Sequence, residues 1–321
     1  MKIFRSPLPP ALRQPCALTI GNFDGVHLGH QALLRRVVDD ARRLGVPATV
    51  LTFEPHPREY FTRLAEARGQ SPGAHPVRIA TLRDRLGMLA RLGIEQVCLA
   101  RFNESMAQWP ADDFVRDFLA DGLRARHIRI GTDFRFGARR RGDFTSLRTL
   151  GRRHGIEVDP MPTVEEAGVR ISSSLVRDAL TMADFAWTEK MLGRPFALSG
   201  RVTHGRKLGN RLGFPTLNLR LSHGRPALQG VFIVQVHGLS DRPLAGVANL
   251  GTRPAVESHG SYLLETHLLD WRGNAYGRLI RVQFLHKLRD ELHFPELESL
   301  ARQIAADTEA ARAYFQTNTP R

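Results

Sequence analysis

The apolar residues of this chain change their spacing once, and that change constrains the fold more than any other feature. Up to about residue 190, short apolar runs alternate with amphipathic stretches of helical length. Ala17–Ile20, Ala48–Phe53, Gln96–Ala100 and His127–Ile130 read as strands, and Gln31–Leu44, Thr81–Leu92 and Ala111–Leu123 as helices. Such alternation predicts a doubly wound parallel sheet. The Gly/Pro/Ala-rich stretch Arg63–Pro76 reads as a mobile loop. After about residue 195 the segments Ser199–Thr203, Gly230–His237, Ala245–Asn249, Tyr262–Asp270 and Ile280–Leu285 succeed one another without helices. Glycines separate them, which suits a small antiparallel β-barrel. A terminal amphipathic helix over Glu296–Phe315 places Leu297, Leu300, Ile304, Ala305, Ala311 and Phe315 on one side. The length agrees, since 321 residues are about twice the ~150 of a typical domain. Two domains are expected, residues 1–187 and 188–321, joined near Thr188–Pro195.

Charge narrows the partners. The formal net charge is +14, and all but Lys2, Lys190, Lys207 and Lys287 of the 46 cations are arginine. A basic chain can serve an anionic ligand, either nucleic acid or nucleotide phosphates. The excess is +7 on each side of residue 186, with no basic tail and no nucleic-acid motif, so small phosphate esters are favoured. Two cysteines, Cys16 and Cys98, make no disulfide framework and no metal-ligand spacing. Both fall in expected strands and read as core residues. No apolar run reaches the ~18 residues of a membrane helix, and prolines interrupt the first ten residues where a signal peptide is apolar. A soluble, cytoplasmic protein with small-molecule partners is expected, without nucleic acid or membrane and with weak self-association at most.

Two segments carry chemistry. Gly21-Asn-Phe-Asp-Gly-Val-His-Leu-Gly-His30 joins an expected strand to an expected helix. Its glycines allow a tight turn, and the helix start offers N–H groups to phosphate. His27 and His30 are three apart and share a face there, adding donors for a transferring phosphoryl group. Attack on a nucleotide α-phosphate with pyrophosphate leaving fits. His56 and His237, lone histidines, read as structural. Further on, Arg170-Ile-Ser-Ser-Ser-Leu-Val-Arg177 places hydroxyls before a helix at Leu175–Met182 and a planar cation on its first turn.

The first segment resembles the HxGH nucleotidylyltransferases, specifically the adenylyltransferase module of the bifunctional riboflavin kinase/FAD synthetases. Thr52-Phe-Glu-Pro-His-Pro57, Gly131-Thr-Asp-Phe-Arg-Phe-Gly137 and Arg170–Arg177 resemble that module's later motifs, in family order. Ser174 stands where the family usually has Thr and keeps the hydroxyl. The resemblance implies a Rossmann-like first domain with catalytic His27 and His30. It implies nucleotide contacts at Gly21, Asn22, Phe23, Gly29, Arg170, Ser172, Ser173, Ser174 and Arg177, and flavin contacts at Asp133 and Phe136. The arginines of Arg135–Arg141 take a supporting part.

The second segment is Gly200–Asn218, with glycines at 200, 205, 209 and 213 and cations Arg206, Lys207 and Arg211. Such a loop can fold over a triphosphate, although it is not a P-loop. Phe-Pro-Thr-Leu-Asn218 resembles the Pro-Thr-Ala-Asn motif of riboflavin kinases, with Leu217 in place of Ala. In extended chain Thr216 and Asn218 share a face and can serve Mg²⁺ and ATP oxygens. Gly246–Pro254 matches a further family segment, with Ala255 where Thr is usual. Glu265 in an apolar strand is costly unless paired or functional. The resemblance makes it the base for a riboflavin hydroxyl attacking the ATP γ-phosphate. Asp270, nearer a turn, reads as structural. Arg289–Phe294 resembles the flavin-side segment, so Arg289 is a flavin contact. Gly205, Lys207, Gly213 and His204 fall on the nucleotide side. The implied activities convert riboflavin to FMN in the barrel and FMN to FAD in the α/β domain, using ATP and Mg²⁺. Two other readings remain: a nucleic-acid-binding protein, on the charge, and an enzyme with one silent module, on Leu217 and Ala255.

Overall fold

The computed structural model describes residues 1–71, 76–205, 209, 212–221, 225–252 and 262–318. They form two compact units. One comprises Met1–Pro76 and Arg85–Ser172, the other Val77–Asp84 and Ser173–Arg321. The segment 173–187, expected with the first domain, packs with the barrel. Phe185 lies against Phe232 and Phe284 at 6.2 and 6.3 Å between ring centroids.

The first unit is a six-stranded parallel sheet of β1 (Lys2–Arg5), β2 (Cys16–Ile20), β3 (Ala48–Glu54), β4 (Gln96–Arg101), β5 (Ala125–Gly131) and β6 (Glu157–Met161). The order is β1-β4-β3-β2-β5-β6, every pairing parallel. Alternate residues of β2 feed opposite faces: Cys16, Leu18 and Ile20 join one core cluster and Ala17 the other. Helices cover both faces: α1 (Leu28–Leu44), α2 (Pro57–Ala67), α3 (Leu82–Arg91), α4 (Glu104–Gln108), α5 (Ala111–Asp113) and α6 (Phe144–Arg153). The chain runs outward from β2 to β4, then returns to place β5 on the other side of β2. Ligands of open α/β sheets bind at such a reversal, outside the carboxyl ends of the strands.

Several expectations need correction. β1, α2, α6 and β6 were not anticipated. Pro57 reads as a strand terminator, yet it occupies the first turn of α2, where its fixed φ and missing N–H cost nothing. His56 caps that helix, accepting the Arg58 N–H at 3.1 Å, while Glu59 accepts the His56 N–H. The expected loop from Arg63 thus begins as the end of α2, and residues 72–75 lie outside the described part. The helix expected over Ala111–Leu123 is α-helical only to Asp113 and continues as a π-helix over Phe114–Gly122. Cys16 and Cys98 are buried strand residues with free thiols. Burial pushes their pKa values up to about 11 and about 12.

The second unit starts with α7 (Ser173–Thr181) and α8 (Phe185–Leu192) and then builds an antiparallel barrel. Its strands are β7 (Ala197–Arg201), β8 (Thr216–Leu221), β9 (Gly230–His237), β10 (Leu244–Thr252), β11 (Tyr262–Leu268) and β12 (Leu279–Arg289). The order is β7-β12-β9-β10-β11-β8. A bridge from Thr203, just past β7, to Asn218 in β8 brings the two edges together. Register shifts in β9 against β12 give the local bends a small barrel needs. The terminal helix α9 (Leu297–Asn318) packs Ala311, Tyr314 and Phe315 against Val231, Ile233 and Val247. Leu297 and Ala305, expected on its buried side, are exposed; Asp307 and Thr308 are buried instead. Asp307 is drawn inward by an ion pair with Arg289. No helix among the described residues is long and apolar enough to cross a membrane.

Candidate active sites

The turn from Gly21 to His27 lies at the reversal point of the first sheet. α1 begins at Leu28, earlier than the expected Gln31, so Gly29 and His30 lie in its first turn. The turn is strained. Phe23 has φ 49° and Val26 φ 43°, beside Gly25 at 82°. A β-branched residue in the left-handed region costs on the order of 1–3 kcal/mol. Core packing supports it, since Phe23 and Val26 are both 1% exposed. The strain turns the His27 imidazole over the helix start, where Nδ1 accepts the His30 N–H at 3.3 Å. That bond selects the neutral tautomer with the proton on Nε2, a donor. The two imidazoles stack with centroids 3.7 Å apart, and Phe23 meets His30 edge-on at 5.1 Å. Gly29 leaves room for this, because a Cβ there would stand 3.1 Å from the His27 ring. A Cβ at Gly21 would stand 3.1 Å from the Phe23 ring.

A residue missed in the sequence ties the turn down. Arg85 is 2% exposed. Its Nη1 donates to the Asn22 carbonyl at 2.8 Å and its Nη2 to Glu54 at 3.0 Å. Its only trace in the sequence is its place on the buried face of α3 with Met88 and Leu89. The loop after β5 brings Asp133 to Arg170, which pair at 2.5 Å on the surface. Phe136 is 6% exposed, enclosed by Phe114 and Phe134 at 5.8 and 5.7 Å. Ser172 ends the first unit. The expected start at Leu175 is late by two residues, since α7 begins at Ser173. Ser173 and Ser174 thus occupy its first turn, and Arg177 donates through Nε to the Val77 carbonyl at 2.7 Å.

The barrel places its polar residues in one transverse row. Asn218 in β8 opposes Glu265 in β11, which opposes Asn249 in β10; Asn249 opposes Val231 in β9, which opposes Arg289 in β12. Directly opposed residues of antiparallel strands project to the same face. Thr216, two residues before Asn218, opposes His267. Thr216, Glu265, Asn249 and Arg289 line a cleft of about 190 Å³ between the sheet and α9. Asn218 is 4% exposed, and its amide donates to the Thr216 carbonyl at 3.2 Å. Its Oδ1 is buried and without a hydrogen-bond partner among the described residues. Gly205 makes the space for it, since a Cβ there would lie 2.5 Å from the amide nitrogen. Gly213 adopts φ 85°, and His204 stacks on Tyr276 at 3.9 Å. Lys207 and Ala255 lie outside the described residues.

Side chains of this site without a reading of their own complete it. Asp307 of α9 holds Arg289: Nε donates at 3.1 and 3.2 Å and Nη2 at 2.7 Å. Gln303 adds a donor to the same carboxylate at 3.0 Å. Asn249 donates to Glu291 at 3.1 Å. Asp270 stands apart at a turn. The bidentate hydrogen bond from Arg312, at 2.6 and 2.8 Å, holds its carboxyl below the usual range.

Comparison with known proteins gives one family match to each part of the chain. The family described as FAD synthetase matches residues 10–175, and the family described as riboflavin kinase matches 192–315. A bifunctional riboflavin kinase/FMN adenylyltransferase of Escherichia coli (strain K12) is 42% identical over 322 aligned positions, covering 100% of both chains. One from Pseudomonas fluorescens is 45% identical, covering 93% of this chain and 92% of its own. A solved structure described as a macrolide-efflux protein from Streptococcus pneumoniae shares the fold over 97% of this chain and 99% of its own, at 27% identity and a TM-score of 0.72. With two family matches in tandem and full-length relatives above 40% identity, the chain belongs to the bifunctional riboflavin kinase/FMN adenylyltransferase family.

Proposed function

We propose that the chain makes FMN from riboflavin in the barrel and FAD from FMN in the parallel-sheet unit, each step consuming ATP. The observation that carries this reading is a pair of unlike polar sites, one in each unit. In the barrel, Glu265 takes the proton of the terminal ribityl hydroxyl as that oxygen attacks the ATP γ-phosphorus. The bridging P–O bond breaks and ADP leaves. Positioning and charge stabilisation suffice for such a transfer, with one base to accept the proton. Arg289, held by Asp307, borders the flavin end, and Gly205, Lys207 and Gly213 serve the triphosphate.

The Thr216 hydroxyl and the Asn218 Oδ1 suit Mg²⁺, a hard cation that takes few protein oxygens and keeps water and phosphate oxygens besides. The buried Asn218 Oδ1 is an acceptor left open among the described residues, which is the fit such a cation requires. When bound, the ion neutralises phosphate charge. Thr216 and Asn218 would hold it, while Glu265 handles the proton.

In the first unit an FMN phosphate oxygen attacks the ATP α-phosphorus and pyrophosphate leaves. No covalent nucleophile is needed. His27 and His30 stabilise the developing charge from the first turn of α1, where backbone N–H groups add to theirs. Gly21, Asn22, Phe23 and Gly29 shape the nucleotide side, joined by Arg170, Ser172, Ser173, Ser174 and Arg177. Asp133 and Phe136 belong to the flavin side. We infer a cytoplasmic setting, with the cations at both sites meeting phosphate rather than nucleic acid. Incubation with riboflavin, ATP and Mg²⁺, followed by chromatography, tests the reading. It predicts FMN and then FAD; accumulation of FMN alone would remove the second activity.

A further inference from the structure

The transverse row of the barrel has a direction. From Asn218 it runs through Glu265 and Asn249 to Val231 and Arg289, one strand spacing of ~4.8 Å at each step. The cleft also has apolar walls of Val231, Val247, Phe294, Leu300 and Ile304, with Arg289 and Asp307 among them on the β12–α9 side. On the far side of Glu265 from Asn249 lies Asn218, with the pair Thr216 and His267 two residues further along the two strands. A substrate with an apolar ring at one end and a hydroxylated chain reaching Glu265 at the other therefore crosses Asn249.

The orientation of Asn249 is set by its neighbour. A carboxylate only accepts, so the bond to Glu291 at 3.1 Å fixes the amide nitrogen on that side and leaves Oδ1 as an acceptor. Gly251, in the same strand, clears the space Glu291 occupies, because a Cβ there would collide with the carboxylate. The Asn249 Oδ1 is buried and has no hydrogen-bond partner among the described residues. Such an atom beside a carboxylate base can accept a hydrogen bond, and a hydroxyl is the donor this substrate class carries.

We propose that Asn249 accepts a hydrogen bond from the ribityl hydroxyl next to the one phosphorylated, and so selects chains that carry it. This rests on the reading of Glu265 as the base at that site. The test compares kcat/KM for riboflavin and its 4′-deoxy analogue in the wild type, Asn249→Leu and Asn249→Ser. The wild type should prefer riboflavin about tenfold or more. Each variant should lose about that factor on riboflavin and little more on the analogue. Equal preference in the wild type would overturn the proposal with no variant needed, and so would a full preference retained by the folded variants. Glu265→Gln is assayed alongside on riboflavin. Undiminished FMN formation there would strike the base assignment, a result distinct from either outcome at Asn249.

Discussion

Asp307→Ala should destabilise the barrel unit by an amount the geometry sets. The Asp307 carboxylate is 7% exposed and Arg289 19%. The change removes three hydrogen bonds from Arg289 and one from Gln303. Deleting one partner of a buried ion pair costs about 3–5 kcal/mol, because the other charge is left uncompensated. Arg289 keeps its Nη1 bond to the Asp290 carbonyl at 3.0 Å and has some access to water, which points to the lower end, about 3 kcal/mol. For a unit of this size that lowers the melting midpoint by roughly 10 °C. Thermal unfolding followed by circular dichroism measures it. Replacing both partners by apolar residues, Arg289→Met with Asp307→Leu, should recover most of the loss. A loss below ~1 kcal/mol for Asp307→Ala would refute the reasoning, since that is the behaviour of a solvent-exposed pair.

Gly29→Ala should displace the His27 ring, which the new Cβ would approach to 3.1 Å. FMN adenylylation is expected to fall about tenfold or more while riboflavin phosphorylation holds, measured separately with each substrate. Cys16 and Cys98 should resist a thiol reagent in the native protein, because burial raises both thiols and keeps them protonated at neutral pH. Fast native labelling of either would contradict that. Asp40 gives a pH dependence. Burial pushes its carboxyl up, but the hydrogen bond and charge of Arg129, with His127 and Arg43, more than offset this and hold it below the usual value. A depressed folded value stabilises the fold above the unfolded pKa of about 3.9, and the stability is lost as pH falls through the folded value. Asp40→Asn should flatten the acid limb of a melting-temperature profile below about pH 4.

Much of this was legible from residue types. The doubly wound sheet followed from period and alternation, and the His27–His30 pair from its place between a strand and a helix. Thr216 and Glu265 lie far apart in sequence, and their motifs pointed to one site that the β8–β11 pairing assembles. Other features depended on long-range partners that no local pattern encodes. Arg85 looks like one more helical arginine until its hydrogen bonds to Asn22 and Glu54 are seen. Asp307 interrupts the apolar stripe of α9, and only Arg289 explains its burial. Asn249 falls in the segment Gly246–Pro254, where only the family resemblance marks it, and its open acceptor arises from Glu291, which lies beyond β12. The start of α1 was misplaced because a histidine rather than serine or aspartate caps it.

The claim that two independent sites work in sequence is tested most directly by exchanging substrates between Glu265→Gln and His30→Ala. Glu265→Gln should make no FMN from riboflavin, yet convert supplied FMN to FAD at the wild-type rate. His30→Ala should accumulate FMN from riboflavin and form no FAD. Loss of both reactions in either folded variant would contradict the account.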